Sequence, residues 1–186
     1  MYDISQEFYN MANIQLIPIC IDDREQFIAD CQESFRYGSL EEFGERNTHI
    51  DKDGEVMPRN SIIAVLDSPN AESYHIVCEG KRVGGLVIDL NAEQKRGDLT
   101  LLFTNANTHS KGIGYAAWCE VERIHPEIKV WETLTPYFET RNIHFHVNRC
   151  GFHIVEFFNE HHPYEGPDAE DANELGGAFR FQKIIE

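Results

Sequence analysis

His109-Ser110-Lys111-Gly112-Ile113-Gly114 is the stretch on which the fold turns. Before it lie an apolar run, Asp98 to Thr104, and a polar connection, Asn105 to Lys111. After it comes a helical pattern from Gly112 to about Arg123, with Ile113, Ala116, Ala117 and Val121 spaced to share one buried face. A strand therefore passes to a helix through a glycine-bearing turn. Glycines let the backbone approach a ligand closely, and a helix N-terminus presents unpaired N–H donors with a favourable dipole. Lys111 adds a positive charge, so the turn suits a pyrophosphate. The bland alternative is an ordinary glycine-bearing loop entering a helix.

Gly112-Ile113-Gly114-Tyr115-Ala116-Ala117 also fits the G-x-G-x-x-A dinucleotide pattern, with Glu132 placed as a ribose ligand. Position argues against that reading. Its first glycine should close a tight turn directly after a buried parallel strand. Here seven polar or small residues, Asn105 to Lys111, intervene, and the preceding strands read as antiparallel.

Working outward, Gln15 to Ile21 reads as a strand and Asp22-Asp23 as a helix start. That helix reaches about Tyr37 and stops at Gly38, with a short second helix near Ser39 to Thr48. Ser61 to Leu66 is a strand or an entry segment. Tyr74 to Glu79 and Arg82 to Leu90 flank Gly80-Lys81 as a hairpin. Lys129 to Thr135 is a strand, and Pro136 starts a helix reaching about Arg149. Phe152 to Phe158 and Phe179 to Ile185 are the last strands. This order predicts one α+β domain over residues 1–186, with a mixed, mainly antiparallel sheet and helices on both faces.

Composition narrows the function classes. Hydrophobic residues make up 41 %, enough for a core. A formal net charge of −16 disfavours nucleic acid, whose binding draws on clustered Lys and Arg. No apolar run approaches a membrane span, and the first residues show no leader pattern. Five scattered cysteines without a Cys-x-x-Cys pair read as reduced thiols in a cytoplasmic protein. Cys119 and Cys150 read as small core residues. Nine histidines lack metal-ligand spacing: His144 and His146 point apart on a helix, and His161-His162 are adjacent in a loop. No metal is expected.

With these residues in view, the chain resembles the GNAT superfamily of N-acetyltransferases, most clearly from Tyr74 to Phe158. The family's acetyl-CoA motif, [Gln/Arg]-x-x-Gly-x-[Gly/Ala], is matched by His109 to Gly114, with His109 in the Gln/Arg place. Its second signature, an Asn-bearing helix leading to a Gly-Phe turn, is similar to Arg141-Asn142-Ile143-His144-Phe145 followed by Cys150-Gly151-Phe152. The resemblance implies a GNAT-like fold and acetyl transfer from acetyl-CoA to a primary amine without an acyl-enzyme. It implies cofactor contacts from Phe103 and Thr104 through their main chains, from His109, Ser110, Lys111, Gly112, Ile113 and Gly114 at the pyrophosphate, and from Asn142.

Direct transfer needs a proton acceptor for the amine, donors for the oxyanion and an acid for the leaving thiolate. By that analogy a strand N–H near Thr104 supplies the oxyanion donor. Relatives commonly place an acidic tyrosine a few residues before Gly-Phe, where this chain has none. His146 substitutes if the turn is one residue longer than usual, and Tyr137 is the second choice. Asp98 or Glu132 would relay the amine proton through water. Without the tyrosine, an acyl-CoA-binding domain that lacks turnover is the competing reading. Glu156, Glu160, Glu165, Asp168, Glu170, Asp171 and Glu174 precede the last strand with no Lys or Arg among them. Such a loop is expected to attract a small cationic amine, or simply to be solvated. A homodimer is a further expectation about partners.

Overall fold

The computed structural model of the chain describes residues 14–43, 55–106, 112–166, 169 and 176–186. Contacts group the chain into two compact units: Met1–Asp89 with Leu101–Pro126, and Leu90–Thr100 with Glu127–Glu186. Strand order across the sheet is β1-β2-β3-β4-β5-β7-β6, the mixed and mainly antiparallel arrangement expected.

In the first unit, β1 (Ile14–Pro18) precedes a single 3₁₀ turn (Ile21–Asp23) and helix α1 (Arg24–Phe43). The predicted stop at Gly38 is overridden, since α1 runs through it. An interior glycine costs only about 1 kcal/mol against alanine, too little to break a helix anchored by Phe27, Ile28 and Cys31 in the core. Residues 44–48 of the expected second helix lie outside the described residues.

Helix α2 (Arg59–Leu66) replaces the strand or entry segment expected at Ser61 to Leu66. Five apolar residues in a row carry no period of their own, and packing of Ile62 against α1 decides the conformation. β2 (Ala71–Cys78) and β3 (Lys81–Asn91) form the expected hairpin. Its loop is Glu79-Gly80, one residue earlier than predicted, with φ of 50° and 75°. Two consecutive positive φ values give the turn whose twist matches the strands.

β4 (Arg96–Thr104) alternates cleanly, burying Leu99, Leu101 and Phe103. Leu101 and Phe103 join Phe27, Ile28, Cys31, Ile62 and Val87 in one core. The alternate residues Tyr74, Ile76, Leu86 and Ile88 are buried too, so this part of the sheet is covered on both faces. Helix α3 (Ile113–Ile124) packs against β1 and buries Ile113, Ala116, Ala117 and Val121 as predicted, with Trp118 in addition.

In the second unit, β5 (Val130–Pro136) pairs in parallel with β4 over Arg96–Asp98 and antiparallel with β7 (Ala178–Ile184). The strand–helix–strand crossover read from the sequence is present. Beyond Asp98 the Thr133 hydroxyl donates to the Leu99 carbonyl at 2.8 Å, a side chain standing where a ladder N–H would. Pro136 does not open a helix. It ends β5 opposite Ala178, a strand terminus where its missing N–H costs nothing. Helix α4 (Thr140–His144) is one short turn that widens into a π-helical turn at Phe145–Arg149 before β6 (His153–Phe158). Trp131, Phe152 and Phe181 are fully buried here.

Candidate functional site

The turn into α3 begins at Gly112, whose φ of 74° and ψ of 4° place it in the left-handed region. A β-carbon there would meet nothing within 4 Å, so backbone conformation, not crowding, calls for glycine. Gly112 carries no side chain to cap the helix, and α3 has no acidic residue in its first turn. The first N–H groups of a helix have no intrahelical partners, so this end is electropositive and suits an anion. Ile113 turns its side chain into the core and Gly114 is half-buried. His109, Ser110 and Lys111 lie outside the described residues.

Upstream of the turn, the last residues of β4 are tightly held. Ser34 of α1, itself buried, donates its hydroxyl to the Thr104 carbonyl at 2.6 Å. Asn105 N–H donates to the Val83 carbonyl at 2.9 Å, and its side-chain amide to the Arg82 carbonyl at 3.3 Å. Val83 is an extra residue in β3, because Ile76 pairs with Gly84 while Val77 pairs with Arg82. The bulge lets β3 crowd the end of β4. A β-carbon on Gly84 would run into the Phe103 carbonyl oxygen and lie 2.9 Å from Thr104 Cα. Ser34, Asn105 and Ala106 line a hollow of about 120 Å³ together with Asp30 and Glu33.

These contacts orient Phe103 and Thr104. The Phe103 main chain faces β3 and its ring packs edge-on against Phe27, so a ligand on the opposite edge of β4 would meet Leu102 instead. The Thr104 carbonyl is committed to Ser34.

The proton-handling candidates fall in the second unit. The π turn holds the extra residue that would bring His146 to the tyrosine's place, but the imidazole is enclosed. Its ring lies among Phe145, Phe152 and Phe181, and Nδ1 has no hydrogen-bond partner among the described residues. Burial pushes its pKa down to about 4. The imidazole is therefore neutral at pH 7. Tyr137 is 46 % exposed at the end of β5, its N–H bonded to the Gly177 carbonyl. Asp98 is exposed on β4.

Glu132 is occupied. Burial works to raise its carboxyl, but hydrogen bonds from Arg96 and Gln182 and the nearby Arg96 and Arg180 charges outweigh it, holding the pKa below the usual range. That makes it a poor base. Asn142 on α4 donates its amide to Glu139 at 3.2 Å. Of the acidic residues, Glu156 stands on β6, paired with Arg180 and His162, while Glu160 and Glu165 beyond it are exposed. Asp168, Glu170, Asp171 and Glu174 lie outside the described residues.

The enclosure of His146 has a thermodynamic consequence. Its folded pKa lies below the ordinary 6.5, so the unfolded chain binds the extra proton between the two values. Stability is therefore intact above pH 6.5 and falls as pH drops toward 4. Between pH 7 and 5 this one group costs about 2 kcal/mol. His146→Phe, a ring for a ring in an aromatic cage, should lose about that much less stability than wild type over the same interval. Urea denaturation at both pH values reads the difference, and parallel losses would show that His146 is not enclosed as described.

Comparison with known proteins places the chain. No family model matches it. The uncharacterised protein YrkN of Bacillus subtilis (strain 168) is 43 % identical over 170 residues, spanning 88 % of this chain and 89 % of that one. The chain belongs to the YrkN family. Solved structures resemble it at lower identity. An acetyltransferase from Thermus thermophilus superposes with a TM-score of 0.63 at 16 % identity, covering 93 % of this chain and 97 % of that one. PaiA N-acetyltransferase from Thermoplasma acidophilum, in complex with coenzyme A, gives 0.60 at 16 % identity, covering 92 % and 99 %. An acetyltransferase assigned to the GNAT family from Desulfovibrio desulfuricans gives 0.65 at 9 % identity, covering 93 % and 99 %. This YrkN-family chain has the GNAT fold that its two signatures imply.

Sequence reading missed three residues at the head of the turn. Gly84, paired with Gly85 inside a strand, was a signal of close backbone approach. Ser34 stands on the helical stripe of Phe27 and Cys31, where a polar residue needs a partner. Asn105 gave no signal beyond its place after a strand.

Proposed function

We propose that the chain is an acetyl-CoA-dependent N-acetyltransferase acting on a small cationic amine. The observation that carries this reading is the uncapped, left-handed glycine start of α3, reached from a β4 strand whose last peptide is fixed. The residues present fit the cofactor. Gly112 leaves open space where a side chain would stand, and the α3 N–H groups and dipole suit its pyrophosphate. Leu102 and its neighbours on β4 would take the pantetheine arm, with Lys111 adding charge at the phosphates. Bound acetyl-CoA supplies the thioester-activated acetyl group.

The chain's own task is to orient an amine and move its proton. Attack forms a C–N bond, breaks the C–S bond and releases one proton. The amine's proton has to pass to a base or to water, and the departing thiolate has to gain one. The net charge of −16 raises the local concentration of cationic acceptors. Free-thiol release, measured with acetyl-CoA and a panel of polyamines, lysine derivatives and aminoglycosides, tests turnover. Release with a cationic amine supports the reading, and release with none of them contradicts it. The enclosed, neutral His146 favours a second reading, an acyl-CoA-binding domain without turnover. Under it, cofactor binds and no thiol appears.

A further inference from the structure

We propose that Ser34 and Asn105 are positioning residues that preset the cofactor strand of this site; the inference rests on the acetyl-CoA reading above. The peptide unit they hold is Thr104–Asn105. In a trans peptide the carbonyl and N–H point in opposite directions. Here Ser34 Oγ grips the carbonyl at 2.6 Å from one side, and the Val83 carbonyl receives the N–H at 2.9 Å from the other. The unit cannot rotate without breaking both bonds.

Neither grip is a routine ladder contact. The first comes from a helix, through a hydroxyl on a residue only 5 % exposed. The second ends on a bulged residue, and the Asn105 side chain braces that bulge again at the Arg82 carbonyl. Arg82 is itself tied down, its guanidinium 2.9 Å from Asp23, whose carboxyl is held below the usual range by that bond. The chain from Asp23 through Arg82 and Asn105 to Thr104 thus sets where β4 ends and the connection to Gly112 begins. A strand end fixed before binding spares the ordering cost that a mobile one incurs when it closes on a ligand. The residues held are those beside Leu102, where the arm of the cofactor would lie. Its phosphates would sit farther on, at the turn.

Calorimetric titration with two ligands separates positioning from general damage. Acetyl-CoA uses both the arm and the phosphates, whereas the phospho-ADP half of coenzyme A uses the turn alone. Ser34→Ala should weaken acetyl-CoA about tenfold, as expected for one lost buried hydrogen bond, and leave phospho-ADP within about twofold. Ser34→Thr, which keeps a hydroxyl, should recover most of the affinity. Asn105→Ala should show the same selectivity at about threefold, and serves in place of Ser34→Ala should the latter not fold. Unchanged acetyl-CoA affinity in a folded variant, or equal weakening of both ligands, overturns the positioning role. Wild-type protein that binds neither ligand overturns the underlying cofactor reading as well.

Discussion

Alanine at position 84 is expected to destabilise the protein by more than about 3 kcal/mol, lowering the melting temperature by roughly 10 °C, and to remove cofactor binding. The added carbon meets backbone, namely the Phe103 carbonyl and Thr104 Cα, which cannot swing aside as a side chain does. Either β3 or the end of β4 must shift. The second course pulls Asn105 off the Val83 carbonyl and misplaces the connection to α3. Gly38→Ala is the matched control. Its β-carbon meets nothing within 4 Å, and it removes a glycine from a helix interior, so it should be neutral or stabilising by up to about 1 kcal/mol. Thermal melts of the two variants check the contrast. Equal behaviour would mean that β3 and β4 are not in the close contact described.

Gly114→Glu should weaken acetyl-CoA binding by at least about a hundredfold while leaving the fold intact. A carboxylate in the first turn of α3 would occupy the region offered to the pyrophosphate and repel it. The same charge favours the helix, because an acid near a helix N-terminus is stabilising by about 0.3–1 kcal/mol. Loss of affinity with an undiminished melting temperature therefore cannot be blamed on unfolding. Retained affinity would place the cofactor elsewhere.

The parts of the fold that were legible share a physical cause. Helix α3 could be read because Ile113, Ala116, Ala117 and Val121 carry a helical period on one strongly apolar face. The β2–β3 hairpin could be read because Gly80 marks a turn that few residues tolerate. The failures came where tertiary contacts overrode local signals. Gly38 is a weak breaker inside a helix pinned by Phe27 and Cys31. Ile62 to Leu66 have no period, and packing made them helical. The helix expected from Pro136 presupposed that proline opens helices, whereas here it closes a strand against Ala178.

For the site, the glycine turn was legible and its supports were not. The Ser34 bond to Thr104 spans 70 residues of sequence, and no local pattern encodes such a pair. His146 shows the opposite limit. Its spacing suggested an acid, while the enclosing Phe152 and Phe181 rings, distant in sequence, decide that it stays neutral.

Titration of the wild-type protein with acetyl-CoA in a calorimeter tests the cofactor reading most directly. Saturable one-to-one binding, with a dissociation constant between about 1 μM and 1 mM, is the predicted result. Absence of binding at millimolar acetyl-CoA, with the protein folded by its thermal melt, would contradict it.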